Sequence, residues 1–315
     1  MKLTKLVELA TDKKNFTAVQ NYIDFAESFL AFAVKDFQAV IISQNETQYR
    51  FFQYKQDGYF NISRPVNGNL FYGFDDTEKI INNFPRVMAT VKDLPTDDLL
   101  SREILIRSIY TIQQCVGITL DALPSGASNQ ARKLNGDLFE RFIQLLLNEI
   151  GVDCQTGTVK VPIYLNDEKQ FEMSYQHDLL LFKENELKVI GSVKTSSKDR
   201  IDKIFMDKFL YSKLTETTIP HIAIFLHDVQ RKKTRVENSY GVNSTFLTGH
   251  FKAFTIKLNP LDGVYYCDIR PNMERDPLLK KHIKTIDHLF CSDVWQLTDD
   301  EGISLTDVKI ETESE

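Results

Sequence analysis

The chain has 315 residues, with 38 Lys and Arg against 44 Asp and Glu, so its formal net charge is −6 at pH 7. This acidic balance excludes a protein that coats nucleic acid with a generally basic surface, although a local basic cleft could still bind phosphates. The four cysteines form no Cys-x-x-Cys pair, which argues against zinc binding and a disulfide framework and fits a reducing cytoplasm. Without an apolar run of about 18 residues or a signal-peptide core, we expect a cytoplasmic globular protein.

The apolar spacing predicts an α/β chain in two parts. The first part, residues 1–122, alternates between helical periodicity and short aromatic-rich runs that are typical of strands. Residues 123–129 are small and polar and include Pro and Gly, which is typical of a linker. We therefore predict a smaller α/β N-terminal lobe in 1–122, which contacts DNA and a second copy, and a catalytic domain in 123–315. The acidic tail from Thr298 has no apolar period, so we expect it to be frayed.

The stretch from Asp178 to Asp207, DLLLFKENELKVIGSVKTSSKDRIDKIFMD, carries the strongest functional signal. Two short apolar runs flank the polar break 183–186, and this pattern is typical of a β-hairpin. If the turn centres on Glu186, Asp178 and Lys194 lie at equal distances from it. The carboxylate and the ammonium would then face each other, with Cβ atoms roughly 5 Å apart.

A helix is predicted directly after the hairpin, because apolar residues recur at helical spacing in 201–209. Asp207 lies about two turns after Arg200, so the two side chains share a face, roughly 10 Å apart along the axis. Hard divalent cations take oxygen ligands, usually one or two carboxylates with water and phosphate. Asp178 and Asp207 could supply these ligands, with the backbone carbonyl of Val193 as a third.

This ligand set predicts a magnesium-dependent phosphodiesterase. Bound Mg²⁺ would polarise a phosphate and lower the pKa of a water molecule. Lys194 would orient that water or stabilise the charge that develops on the phosphorane. A plainer alternative stays open at this point, because a strand–turn–strand unit ending in lysine is common and charges on a helix are usually solvated.

The same residues resemble the PD-(D/E)xK nuclease fold, with two departures. Ser192 stands where the usual pattern has an acid two residues before the lysine, and His177 stands where it has proline. The resemblance is to restriction endonucleases that recognise CCGG-type sites, in which the missing acid is relocated. It implies that Asp207 supplies the second carboxylate beside Asp178 and Lys194. The fold expected from it is a mixed central sheet flanked by helices, of the α/β (α+β) class.

In these enzymes the lysine is followed by an arginine–acid–arginine recognition cluster, which Lys198-Asp199-Arg200 matches with lysine in first place. The resemblance implies that Arg200 binds guanine O6 and N7 in the major groove. Lys198 would bind another guanine acceptor, and Asp199 would accept from the cytosine amino group. Within the group, the chain is most similar to the branch that cuts before CCNGG. The similarity covers most of the second half and is much looser over the first 120 residues.

The resemblance also implies roles for residues further upstream. That branch extrudes its central bases onto an aromatic ring, and an arginine four residues earlier contacts DNA, a spacing that Arg50 and Tyr54 fit. The alternative is an ordinary strand core at 49–54. Nucleases of this fold often carry a glutamate on the first helix near the metal, for which Glu140 is the candidate and Asp137 the second choice. An ordinary solvated acid is as good an interpretation.

We therefore predict a type II restriction endonuclease that uses Mg²⁺ to cut double-stranded DNA at a CCGG/CCNGG-type palindrome, leaving 5′ overhangs. A symmetric target implies a twofold homodimer with one active site per strand. A cognate methyltransferase would protect host DNA as a functional rather than a physical partner. The basic residues of 231–235 would grip phosphates or form a solvated loop. Two alternatives stay open: a nuclease of this fold without strict sequence preference, and a DNA-binding protein that no longer cuts.

Overall fold

The computed structural model describes residues 1–56, 59–198, 200–236, 238–299 and 309–312. Its α-helices are α1 (Leu3–Thr11), α2 (Val19–Asp36), α3 (Phe84–Ala89), α4 (Leu99–Asp121), α5 (Ser128–Glu149), α6 (Ile201–Thr215), α7 (Thr248–Lys257), α8 (Pro271–Arg275), α9 (Pro277–His282), α10 (Ile286–His288) and α11 (Val294–Asp299). Its strands are β1 (Ala39–Ile42), β2 (Tyr49–Gln56), β3 (Tyr59–Ile62), β4 (Val66–Asn67), β5 (Asp153–Leu165), β6 (Glu168–Lys183), β7 (Glu186–Ser196), β8 (His221–His227), β9 (Val229–Lys233), β10 (Tyr240–Ser244), β11 (Gly263–Tyr266), β12 (Ile283–Thr285) and β13 (Lys309–Thr312). None of the helices in these ranges is long and apolar enough to cross a membrane.

A mixed sheet of seven strands forms the centre, in the order β12-β11-β8-β7-β6-β5-β13. The half formed by β13, β5, β6 and β7 is antiparallel, and the half formed by β7, β8, β11 and β12 is parallel. Every residue of β8 is buried, as expected for a strand covered on both faces. The predicted fold class, a mixed central sheet flanked by helices, is confirmed.

Different helices cover the two faces of this sheet. On one face Leu138 and Phe142 of α5 share a core with Leu179, Val193 and other strand residues. On the other face, α6 and α7 pack against Ala223 and Phe225 of β8. The helix residues in this core are Ile201, Ile204, Phe205 and Phe251. A side chain near the end of β6 or β7 therefore points toward either α5 or α6, and that direction decides which groups it can contact.

The N-terminal part forms its own small sheet, in which β2 pairs with β1, β3 and β4. One hydrophobic core nevertheless crosses the predicted boundary at 122/123. The Tyr22 ring stacks on the Phe142 ring at 4.5 Å between centroids, and its hydroxyl donates to the carbonyl of Leu138 at 2.8 Å. Helix α5 begins at Ser128, inside the segment predicted as a linker. The N-terminal part and α5 thus share one hydrophobic core.

The hairpin of β6 and β7 has a different register from the predicted one. Its turn consists of Glu184 and Asn185, which both have positive φ (53° and 66°), so the strands begin pairing at Lys183↔Glu186. Two consecutive residues with φ near +60° match a type I′ turn, whose twist suits a two-residue hairpin. The prediction of a turn centred on Glu186 is therefore wrong.

The expectation of a frayed tail is wrong for residues 309–312. They form β13, which pairs antiparallel with β5 at the sheet edge, and Ile310 packs against the apolar residues of the neighbouring strands. A single apolar side chain and backbone pairing are enough to add an edge strand, and neither produces a visible period in the sequence.

Candidate active site

The strands β6 and β7 separate at their far end from the turn, and Asp178 lies where they part. The pairing continues from the turn to Leu179↔Gly191. Beyond it, the N–H of Val193 donates to Oδ2 of Asp178 at 2.8 Å. The carboxylate of Asp178 thus replaces a strand carbonyl as the acceptor for this amide, which fixes the position of the carboxylate.

A β-bulge in β6 sets the direction of Asp178. On the other side of β6, Gln155 pairs with Leu180 and Gly157 pairs with His177, so β6 contains one residue more than β5 between these pairs. A bulge breaks the alternation of side chains and can re-aim one of them. His177 contacts the rings of Tyr175 and His221, whereas Asp178 contacts groups on the α5 side.

The centre of the site is the ammonium of Lys194, which donates to two carboxylates. Nζ of Lys194 lies 2.6 Å from Oδ2 of Asp178 and 2.9 Å from Oε1 of Glu140. Glu140 comes from α5, so strands and helix converge on one amine. The three side chains are 20–27% exposed, which leaves them reachable from solvent but partly desolvated. The structure therefore brings together three of the predicted catalytic residues, Asp178, Lys194 and Glu140.

Burial raises the pKa of Glu140 to about 7; the negative charge of Asp178 adds to this rise and Lys194 opposes it. Burial disfavours the charged form of Lys194, but Asp178 and Glu140 outweigh burial and raise the pKa of its ammonium. Lys194 is therefore protonated at neutral pH, and one ammonium does not fully compensate two carboxylates. Acids in a cleft whose pKa is shifted by burial and by a specific charged neighbour are typical of functional sites.

The donor set fits a hard divalent cation. Mg²⁺ is commonly held by one or two carboxylates and completes its shell with water and phosphate oxygens. Asp178 and Glu140 supply two carboxylates with surplus negative charge. No group of three or more His, Cys, Asp or Glu residues that could hold a metal occurs within the described ranges. A cation at this site would therefore depend on water and substrate oxygens for its remaining ligands.

Within the described residues, Asp207 forms its ion pair outside this cluster. Its carboxylate pairs with Lys203 at 3.1 Å, and its side chain is 20% exposed, the same as that of Asp178. Burial lowers the pKa of His177 to about 4, and the charge of Asp207 partly opposes that effect, so Asp207 is near His177 on the α6 side. Among the contacts of the described residues, none joins Asp207 to Lys194. The second carboxylate that accepts from Lys194 is thus Glu140, and a metal-ligand role for Asp207 stays a prediction.

Asp207 is carried by α6, which packs on the opposite sheet face from α5. Helical spacing correctly placed Asp207 two turns into a helix that begins at Ile201. It did not determine which face of the sheet this helix covers, and α6 covers the face opposite α5. Val193 is held through its N–H by Asp178, and a ligand role for its carbonyl stays a prediction. Asp137, the second choice on α5, pairs with Lys13.

The predicted recognition cluster follows β7 at the start of α6. Lys198 and Arg200 are exposed and line the same cleft as Lys194, whereas Asp199 lies outside the described residues. The preceding serines anchor this segment, since the hydroxyls of Ser196 and Ser197 each lie 3.2 Å from Oγ1 of Thr245. The recognition segment is thus covalently continuous with the strand that carries Lys194.

Arg50 and Tyr54 lie outside this cleft. Tyr54 is 1% exposed and packs against the rings of the N-terminal core, with its ring centroid 6.3 Å from that of Phe37. In this position the ring has no free face for an extruded base, and the strand-core alternative describes it. Arg50 is exposed, and its side chain crosses Gly68, where a Cβ would lie 2.7 Å from Nε of Arg50.

A cleft of about 1310 Å³ extends from the Lys194–Glu140 pair to the N-terminal part. Basic residues from distant parts of the sequence line it, and they are Arg64, Arg132, Lys133, Lys194, Lys198, Arg200, Arg231 and Lys233. The contributions of Arg64, Arg132 and Lys133 had no signal in the sequence, because isolated basic residues carry no period and only the fold brings them together. An acidic protein thus has a cleft beside Lys194 in which, among the described residues, eight basic ones outnumber three acidic ones, Asp121, Asp137 and Glu140.

Comparison with known proteins bears on the fold. No protein-family profile matches the chain, and no curated protein sequence matches it. Among solved structures, the chain is similar to the Type IIP restriction endonuclease Kpn2I, with a TM-score of 0.68 and 15% sequence identity. The superposition covers 96% of this chain and 99% of that one. The chain therefore has a restriction-endonuclease fold over nearly its whole length.

Proposed function

We propose that this protein is a magnesium-dependent type II restriction endonuclease that hydrolyses phosphodiester bonds in double-stranded DNA. The observation that carries the proposal is the position of Lys194, which is hydrogen-bonded to carboxylates from two different elements in a basic cleft. A protein that only binds DNA has no need to hold a half-buried ammonium between two acids. The fold shared with a restriction endonuclease supports the same conclusion.

Asp178 and Glu140 would hold Mg²⁺, with the carbonyl of Val193 and the carboxylate of Asp207 as further candidate ligands. When bound, the cation would polarise the scissile phosphate and lower the pKa of a nearby water molecule. Asp178 orients Lys194 and is itself oriented by the Val193 amide. The ammonium of Lys194 would donate to phosphate oxygens as negative charge develops on them, where a fixed charge in a partly desolvated site has its largest effect.

For recognition, we propose that Arg200 and Lys198 donate to guanine acceptors and that Asp199 accepts from cytosine, as direct readout of a CCGG/CCNGG-type palindrome requires. Cleavage before the first cytosine would leave 5′ overhangs. A twofold homodimer would cut both strands, and a cognate methyltransferase would protect the host DNA in the same cytoplasm. Stacking of an extruded base on Tyr54 would require its ring to leave the core.

Incubation of the purified full-length protein with unmethylated plasmid tests the proposal. We expect discrete fragments with MgCl₂ and none with EDTA, and sequencing of the fragment ends would give the site and the overhang. A smear would instead support a nuclease without strict sequence preference. Intact plasmid together with a gel shift would support a binding protein and overturn the proposed catalysis.

A further inference from the structure

The antiparallel ribbon of β9 and β10 forms one wall of the basic cleft. Gln230, Arg231 and Lys233 of β9 and Tyr240 of β10 line the same cavity as Lys194 and Arg200. In this ribbon, Tyr240 pairs with Lys233. The ribbon is separate in the chain from the Lys198–Arg200 recognition segment, so the cleft presents two independent basic elements to a ligand.

The ribbon is held rigidly by the N-terminal part. The side-chain amide of Asn45 pairs with Val242 in the manner of a strand, since Oδ1 accepts from the Val242 N–H at 2.9 Å and Nδ2 donates to its carbonyl at 2.8 Å. A Cβ on Gly241 would lie 2.7 Å from Oδ1 of Asn45, so this approach requires glycine. Val229 and Val242 bury the underside of the ribbon against the N-terminal sheet.

The outer part of the ribbon carries positive charge on the same face that Val229 and Val242 anchor, because Val229, Arg231 and Lys233 alternate onto one face of β9 and Val242 pairs with Arg231. Arg231, Lys232 and Lys233 are all exposed, and within the described ranges no carboxylate forms an ion pair with them. Arg231 is oriented rather than free, because its Nη1 donates to the carbonyl of Ile62 at 2.6 Å. By contrast, lysines of α6 such as Lys208 are paired with acids. An oriented arginine and a neighbouring exposed lysine on a cleft wall, without an acidic partner among the described residues, suit a polyanionic ligand.

We propose that the β9–β10 ribbon is a second duplex-binding element, in which Arg231 and Lys233 contact backbone phosphates of the DNA. The inference rests on the proposed function, because it takes its ligand from the catalytic cleft. Phosphate contacts fix the orientation of a protein on a duplex and carry no direct sequence information. The ribbon therefore contributes affinity and register, and the Lys198–Arg200 segment contributes base recognition.

Fluorescence anisotropy without divalent cation tests this assignment, using a mixed-sequence 20-base-pair duplex and a duplex that carries the mapped cleavage site. Lys233→Ala should weaken binding to both duplexes about 3- to 10-fold and reduce the slope of log affinity against log salt by about 0.9, the value for one lost phosphate contact. Lys280→Ala, an exposed lysine of α9 outside the cleft, serves as the control and should bind like the wild type.

The outcomes separate the inference from the proposed function. If the wild type binds and cuts DNA but Lys233→Ala keeps the wild-type affinity and salt slope, the ribbon assignment is overturned and the nuclease proposal stands. If Lys233→Ala changes only the preference for the mapped site, the ribbon contacts bases and the phosphate assignment is overturned. If the wild type binds neither duplex, the proposed function fails and the ribbon assignment fails with it.

Discussion

Two carboxylates near the end of strand β6 lie in contrasting surroundings. On the α5 side, Asp178 shares a partly buried ammonium, Lys194, with Glu140. On the α6 side, Asp207 pairs with Lys203, a lysine whose side chain is 68% exposed. The two carboxylates are equally exposed, at 20%, so the contrast lies in their partners. The first arrangement places two acids on one ammonium in a cleft, and the second is an i, i+4 helix pair with an exposed lysine. The fold therefore distinguishes acids that their positions in the sequence make look equivalent.

The largest expected effect comes from removing the two lysines in turn. Lys194→Ala removes the ammonium between Asp178 and Glu140, and we expect initial rates of plasmid cleavage to fall at least about 100-fold while DNA binding persists. Lys203→Ala removes the partner of Asp207 and should cut at close to the wild-type rate. Equal losses in both variants would show that the two sides of β6 are not functionally distinct.

A smaller effect should appear in the pH dependence of the magnesium requirement. Glu140 must be ionised to bind a cation, and its pKa is raised to about 7, chiefly by burial. The Mg²⁺ concentration for half-maximal cleavage should therefore rise as the pH falls from 8 to 6, by up to about 10-fold per pH unit below that pKa. Asp207→Asn should show the same dependence. A magnesium requirement that is flat over this range would argue against Glu140 as a ligand.

The stability of the metal-free protein should show the cost of the buried Glu140 charge. Because its pKa rises from 4.5 to about 7 on folding, the stabilisation linked to this group is present below pH 4.5 and is lost as the pH rises through 7. In urea unfolding, Glu140→Gln should gain on the order of 1–3 kcal/mol relative to the wild type between pH 5 and pH 8. Glu149→Gln, at an exposed position of the same helix, should show no such gain because solvent screens it.

The sequence predicted the β6–β7 hairpin better than the packing of the helices around it. Asp178 and Lys194 were identified because a hairpin is a short-range pattern, and the mixed sheet flanked by helices is confirmed. The register of the hairpin was not predicted correctly, because it depends on the left-handed turn at Glu184–Asn185 and on bulges in the strands. Both Glu140 and Asp207 were predicted as catalytic, and the contact of Glu140 with Lys194 depends on which sheet face α5 covers, which no spacing along the chain encodes.

The most direct test of the central claim compares Glu140→Gln and Asp207→Asn in Mn²⁺ binding by titration calorimetry, with a DNA duplex present and the wild type as reference. If Asp178 and Glu140 hold the cation, Glu140→Gln should lose at least about 10-fold in Mn²⁺ affinity and Asp207→Asn should bind like the wild type. The opposite result, with wild-type affinity in Glu140→Gln and a loss in Asp207→Asn, would contradict the assignment of the site to the α5 side of β6.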